Sequence, residues 1–269
     1  MARSIDPEVR RRAEHFTDRP RTAIWYEEPS AANPYVAARC LCHGYDLEAL
    51  AGRVSFDSMV WLLIAGELPT EAQSELFATL LVALSNPGPR HPATRGTMAA
   101  AVSKADPVHL LPIGLSLLGG KHLGAGEVAD AMGFLQRHRR TDPGETAASC
   151  RTAPYAEDAP APGFGSRFGG VDPMAARLAE RLSGMAAAGL ALEWGRRFAE
   201  TLSDGGHGWR ITGVAAAALL DLGLPPRCGP GVFQLAGAAG LLAHGAEMTG
   251  RPTTAMPLPD EEHHVIEDE

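Results

Sequence analysis

Apolar residues recur at helical spacing along most of the chain, and the residues between the runs are those that start and stop helices. Across residues 54–68, Phe56, Met59, Trp61, Leu62 and Leu63 predict one helix. After Leu68-Pro69, the run Thr70-Glu71-Ala72-Gln73 has the form of a capping box, in which hydroxyl and carboxamide satisfy free backbone N–H groups reciprocally. Behind it Leu76, Phe77, Leu80, Leu81 and Leu84 keep one face apolar until Asn86-Pro87-Gly88 stops the run. Asp172-Pro173 offers an N-cap and a proline at the first helical position, which predicts a helix toward Leu182 and another over residues 185–202. Residues 213–222 form an Ala/Leu helix ended by Gly223, and residues 232–248 a last long one closed by Gly250 and Pro252. Alternating strand patterns are nearly absent. The chain reads as all-α.

Two glycine-rich stretches interrupt the helices, residues 119–126 and residues 162–170. Neither follows a predicted strand, which argues against a dinucleotide fingerprint, and no G-x-x-x-x-G-K-[ST] is present. Taken alone, each reads as a tight turn, or as backbone that a ligand can approach because no Cβ intervenes. Residues 141–162, rich in Pro, Ala, Asp and Glu, are expected to form an exposed connection. The acidic tail from Pro257 onward, with His263 and His264 beside Glu261 and Glu262, is expected to be mobile and solvated.

Composition narrows the function classes. A hydrophobic fraction of 45% over 269 residues is enough for a full core, so general disorder is excluded. A net charge of -8 argues against nucleic-acid binding by bulk electrostatics. Only Lys104 and Lys121 are lysines, so the positive charge is nearly all arginine, the side chain suited to bidentate carboxylate and phosphate contacts. A lone C-x-C at Cys40 and Cys42, with Cys150 and Cys228 far away, matches neither a zinc site nor a disulfide scaffold. Residues 1–21 lack an apolar signal core, and the most apolar stretch, residues 213–220, is far short of a membrane span. The expectation is a soluble, cytoplasmic protein with no membrane or nucleic-acid partner and no metal.

Five segments in order resemble the citrate synthase superfamily, in particular its short citryl-CoA lyase-like members. Gly44-Tyr45-Asp46-Leu47, Val54-Ser55-Phe56 and the run from Leu62 to Thr70 resemble its N-terminal signature. Residues 118–127 are similar to its G-x-x-H-G-G-A-x-E loop, and Pro162-Gly163-Phe164-Gly165-Ser166-Arg167 with Asp172-Pro173 to its P-G-F-G-H-R…D-P-R loop. Arg210-Ile211-Thr212-Gly213 falls where the family writes N-V-D-G, and residues 233–247 with Arg251-Pro252 resemble its closing helix and R-P. The resemblance covers roughly residues 35 to 255. It implies a large helical lobe (1–125 with 213–269), a small one (126–212) carrying the cleft loops, and a homodimer. It also implies a small-molecule substrate, with a coenzyme A thioester as the candidate and no covalently bound cofactor.

The family's chemistry makes an enolate beside a thioester. A carboxylate removes the α-proton, a histidine hydrogen-bonds the thioester oxygen, a second histidine polarises the partner carbonyl, and arginines clamp the partner's carboxylates. Here His122 holds the first histidine position, but the second histidine is Ser166 and the aspartate is Thr212. The arginine of D-P-R is Met174, that of the closing helix is Gly237, and the first glycine of H-G-G is Leu123. The resemblance therefore assigns His122, Ser166 and Thr212 as candidate catalytic residues and Phe164, Gly165, Arg167 and Arg251 as candidate substrate-binding residues. A threonine hydroxyl is no general base without activation, and Asp204 or His207 are candidates to replace it.

Each has a plainer reading. Thr212 suits the start of a helix, Ser166 fills the space of a histidine, Arg167 suits a surface ion pair, and Arg251 ends a helix. His244 and Glu247 share a helix face and read as hydrogen-bonded packing rather than a metal site. Three functions stay open: a diverged enzyme on a coenzyme A or related thioester, not ordinary citrate synthesis; a non-catalytic homologue that binds a metabolite or protein; and a coenzyme A-independent lyase or cyclase.

Overall fold

The computed structural model describes residues 22–156 and 158–257. Residues 1–21 and the acidic tail from residue 258, including His263 and His264, lie outside the described residues. The chain divides after Val54 into two compact units.

In the first unit, strands β1 (Trp25–Pro29), β2 (Ala37–Cys42) and β3 (Tyr45–Asp46) pair antiparallel in that order. His43 (φ 46°) and Gly44 (φ 87°) form the tight turn between β2 and β3, both residues left-handed as a two-residue hairpin loop requires. Asp46 then caps α1 (Leu47–Ala51) by accepting from the Ala49 N–H at 3.1 Å, and its carboxylate also takes Arg39 at 2.6 Å. The sheet departs from the nearly strand-free expectation. β1 and the first half of β2 are largely exposed and only Cys42 is fully buried, so no apolar alternation marks the strands.

In the second unit, α2 (Phe56–Ala65) ends at Gly66, whose φ of 87° gives the left-handed C-cap, shorter at each end than the expected 54–68. The capping box at Thr70 is present in both halves and starts α3 (Glu71–Leu84). Next come α4 (Pro92–Val102), α5 (Pro107–Leu118) and α6 (Ala125–His138). The expected exposed connection over residues 141–162 instead contains a helix, α7 (Pro143–Thr152). Its N-cap is Asp142, and a face of Pro143, Thr146 and Ala147 is buried, too small and polar to register as an apolar run. Two-residue strands β4 (Phe164–Gly165) and β5 (Gly208–Trp209) pair antiparallel. Helices α8 (Pro173–Ser183), α9 (Leu190–Leu202), α10 (Ile211–Asp221) and α11 (Gly229–Met248) complete the fold. Asp172 caps α8 as the sequence predicts, accepting from Met174 N–H at 2.9 Å. Among the described residues the fold is thus mainly α-helical, as its pattern predicts, with two small sheets added.

Helix α10 is the core. Every residue from Thr212 to Leu220 is buried, and α6, α8, α9 and α3 pack around it, the expected setting for a helix apolar on all sides. A second cluster is aromatic. Phe164 lies 4.8 Å from Phe198 edge-on and 4.5 Å from Trp209, with Phe134 and Trp194 against them. A glycine pair sets the approach of β4 to α10: a Cβ on Gly213 would lie 2.1 Å from the Gly163 carbonyl oxygen, and Gly163 itself has φ 77°.

That contact is backbone against backbone and cannot be relieved by a rotamer. Gly213→Ala is therefore expected to lower the unfolding free energy by about 1–3 kcal/mol in urea titrations. Gly231→Ala on α11, where a new Cβ meets nothing within 4 Å, is expected to raise it by roughly 0.5–1 kcal/mol through helix propensity.

Candidate active site

Three loops that the sequence sets apart converge on one buried ion pair. Glu127, in the first turn of α6, is fully buried. Its Oε2 accepts from the Leu123 N–H at 3.0 Å, and its Oε1 accepts from the Gly163 N–H at 3.2 Å and from Arg210 Nη1 at 3.0 Å. Arg210 holds the N-cap position of α10 and is 3% exposed. Its Nη2 pairs with the Asp158 carboxylate at 2.5 Å and donates to the backbone carbonyls of Asp158 at 3.1 Å and Ser166 at 3.3 Å. One guanidinium thus joins the 119–126 loop, the 158–166 segment and α10. Burial works against the Arg210 charge, but the bond to Asp158 and the charge of Glu127 outweigh it, so its pKa lies above the usual arginine value. For Asp158, burial pushes the carboxyl up, and the Arg210 bond and charge bring it below the usual carboxylate range.

The loop itself is strained. Leu123 has φ 53°, in the left-handed region that costs an L-residue roughly 1–2 kcal/mol. Its N–H is held by Glu127, and its carbonyl accepts from His91 Nε2 at 3.1 Å. His91 is also the N-cap of α4, its Nδ1 accepting from the Ala93 N–H at 3.1 Å. A carbonyl only accepts and an amide N–H only donates, so this ring is the neutral Nε2–H tautomer. Burial holds its pKa below the usual histidine value against the opposing bond to Leu123, and the charges of Arg167 and His122 add to the lowering.

Beside these loops lies a cavity of about 410 Å³, whose walls include His91, Leu123, Arg167, Asp172, Met174 and Gly237. Arg167 and Gly170 exchange backbone bonds across a tight turn in which Phe168 (φ 52°) and Gly169 (φ 81°) are both left-handed. Phe168 at its tip is 88% exposed. Arg167 Nη1 donates to Asp172 Oδ2 at 2.7 Å. Burial pushes the Asp172 carboxyl up, but Arg167 and the N–H groups of Met174 and Ala175 outweigh this and hold it below the usual range.

The structure brings some of the sequence-derived candidates together and not others. Arg167, Met174 and Gly237 share the cavity wall, as do Leu123 and Ile211, the immediate neighbours of His122 and Thr212. His122 is exposed, and its charge is felt at both His91 and Asp158. Thr212 is fully buried, and its hydroxyl has no hydrogen-bond partner among the described residues. Ser166 is half-buried, its N–H donating to the Asp158 carbonyl at 2.8 Å. Phe164 lies in the aromatic core, and Gly165 packs on Arg210, where a Cβ would be 2.7 Å from Nε. Arg251 is exposed beyond α11, and its carbonyl accepts from Lys104 at 2.6 Å. Asp204 is exposed, and His207 is half-buried with an unpartnered Nδ1 among the described residues. His244 donates to the Asn86 carboxamide oxygen at 3.3 Å and lies 4.0 Å from Glu247.

Sequence reading missed His91, Asp158 and the pairing of Glu127 with Arg210. Glu127 and Arg210 both stand inside the quoted motifs, and His91-Pro92 has the cap-then-proline form of a helix start, but nothing in a single sequence joins them across 83 positions.

Residues 30–168 match the family of the citrate synthase C-terminal domain. No curated protein matches the sequence. Among solved structures, citryl-CoA lyase from Hydrogenobacter thermophilus superposes with a TM-score of 0.74 at 24% identity, covering 93% of this chain and 94% of that one. ATP citrate lyase from Methanothrix soehngenii, solved with citrate and coenzyme A, gives 0.70 at 17% identity, covering 99% of this chain but only 48% of that one. Citrate synthase from Thermoplasma acidophilum, in a ternary complex with carboxymethyl coenzyme A and oxaloacetate, gives 0.62 at 17%, covering 81% and 58%. At these identities the likeness is one of fold.

Removing one member of the buried pair leaves an uncompensated charge. Arg210→Met is expected to cost about 3–5 kcal/mol in chemical unfolding, and the double variant Glu127→Gln with Arg210→Met should cost clearly less than the sum of the singles. The lowered pKa of His91 sets a pH dependence. The unfolded chain takes up a proton below about pH 6.5 that the folded ring resists, so stability is full above that pH and falls as pH drops through it. In His91→Asn, which keeps an N-cap acceptor but does not titrate, the fall between about pH 6.5 and 5 should be shallower.

Proposed function

The chain belongs to the citrate synthase family, and on that premise we propose a diverged enzyme that makes, breaks or rearranges the C–C bond at the α-carbon of a coenzyme A thioester, in a reaction other than ordinary citrate synthesis. The observation that carries this reading is the composition of one cavity wall. The loops of the family resemblance meet there with Arg167 kept, while Met174 and Gly237 stand where the resemblance puts arginines. A polycarboxylate partner loses its grips, and the loop of His122 stays in place.

In this mechanism the His122 imidazole donates a hydrogen bond to the thioester oxygen as the enolate forms, which lowers the barrier by stabilising developing negative charge. Ser166 acts as a hydrogen-bonding group beside the partner, whereas Thr212, fully buried, serves the packing of α10 and does not reach it. Because a threonine hydroxyl cannot take the α-proton unaided, we assign that proton to Asp158 in preference to Asp204 or His207. Asp158 is ionised at neutral pH, half-exposed on its carboxylate, and coupled electrostatically to His122. The same premise carries a cytoplasmic homodimer of two-lobed subunits, 1–125 with 213–269 and 126–212, with Arg251 serving the substrate and the thioester as a diffusible substrate rather than a resident cofactor. Among the described residues, no helix is long and apolar enough to cross a membrane.

A binding-only role is the second reading. It is favoured by Thr212, whose buried, unpartnered hydroxyl stands where the family resemblance puts the base.

Two measurements separate the readings. Acetyl-CoA at a hundred times its Kd should add about 2.7 kcal/mol of stability, read as a rise in Tm, and no shift with any acyl-CoA would end the thioester proposal. Exchange of the acyl α-protons in deuterated water should be catalysed by the protein and fall by about 10²–10³ in His122→Ala. Ligand-induced stabilisation with no exchange would leave the binding-only reading standing.

A further inference from the structure

The loop that carries His122 is held at the residue after it. The peptide joining the two ends in the Leu123 N–H, which donates to Glu127 Oε2 at 3.0 Å, and the next peptide begins with the Leu123 carbonyl, which accepts from His91 Nε2 at 3.1 Å. On the other side Lys121 reaches Asp130 at 3.4 Å with a side chain 79% exposed, and an ion pair in water fixes little. His91 stands 32 positions from Leu123, is 9% exposed, and uses both ring nitrogens, one on the Ala93 N–H and one on Leu123. It lines the cavity, yet it keeps no ring nitrogen for a ligand.

The two bonds oppose different rotations. Rotation about φ turns the chain around the Leu123 N–Cα bond and leaves the N–H in place, so the bond to Glu127 does not resist it. The same rotation swings the carbonyl and breaks the bond to His91. Leu123 sits at φ 53°, where an L-residue is disfavoured by roughly five- to thirtyfold. A hydrogen bond of this kind favours the bonded form by about two- to twelvefold. The two effects are of one size, so removing the bond lets the strain act. The Gly126 N–H closes the loop on the Gly120 carbonyl at 3.1 Å, and within 120–126 only Leu123 has a positive φ. His122 therefore lies in a closed turn whose one left-handed corner His91 holds.

We propose that His91 is a positioning residue for His122: by holding the Leu123 carbonyl it keeps the loop in its left-handed form and fixes where the His122 imidazole stands. The inference rests on the reading above for what His122 does there, and on the loop geometry alone for how it is held.

His91→Asn tests it, because the carboxamide keeps an acceptor for the Ala93 N–H but is too short to reach the Leu123 carbonyl. Amide hydrogen exchange of the full chain, read at the bonded N–H groups of Leu123 and Gly126, should quicken by about two- to twelvefold, with the amides of α4 unmoved. Glycine takes the left-handed region without strain, so adding Leu123→Gly to His91→Asn should return the loop to within about twofold of the wild type. In turnover, kcat for α-proton exchange on acetyl-CoA should fall by about the same two- to twelvefold with KM held, and recover in the double variant. Loop amides unmoved by His91→Asn overturn the proposal, as does a double variant that exchanges as fast as the single one. A quickened loop with kcat unmoved overturns it too, since that is the mark of a structural role alone. A wild-type protein that exchanges no α-protons defeats the thioester reading instead, and the amide data then decide by themselves whether His91 sets the loop.

Discussion

The pairing of Glu127 with Arg210 is the constraint on which the site depends. Two charges have been taken out of water, each at a cost of several kcal/mol, and the geometry recovers it only because nearly every lone pair and N–H finds a partner. Glu127 uses both oxygens on three donors, and Arg210 spends its fork on a second carboxylate and two carbonyls. Three chain segments distant in sequence are fixed by one interaction. None of them contributes a long helix face at that point, so apolar packing alone would not define their register.

That arrangement explains what the glycines do. Gly163, Gly165 and Gly213 admit backbone and guanidinium to within distances a side chain would forbid. Sequence reading allowed either a tight turn or room for a ligand, and at these three positions the room is filled by the protein itself. Leu123 is the converse. A residue that disfavours the left-handed region occupies it, held at its N–H by Glu127 and at its carbonyl by His91. The strain is small beside the bonds that hold it, so the loop keeps its shape without the glycine.

The legible parts of the fold were those in which the signal is local. Thr70 with Gln73, Asp172 before Pro173 and Gly223 after α10 each determine a helix boundary within four residues of themselves. The first sheet was hidden because its strands bury too little to alternate, and α7 because a helix held by one cap and three small buried residues leaves no periodic trace. For the site, motif order brought out Arg167, Met174 and Gly237, which do share one wall. His91 escaped because its role is to bond a carbonyl 32 residues away, and backbone acceptors carry no residue identity to read.

The substitutions form a pattern rather than a scatter. Positions that hold the loops, Glu127, Gly163, Gly213 and Asp172, keep the residue types their geometry needs. Positions facing the cavity, Met174 and Gly237, are uncharged, and a Cβ at 237 would lie 2.7 Å from Leu118 Cδ2 and 3.4 Å from Pro87 Cγ. Aliphatic carbon has closed in around the place where a long cationic side chain would need to pass. Had the scaffold merely decayed, the costly interactions would be the first to fail, because a half-satisfied buried ion pair is worse than none. Here the pair holds its three segments together with Arg210 Nε as its one N–H position that has no partner among the described residues, so the framework around the cavity is intact while its wall is largely apolar.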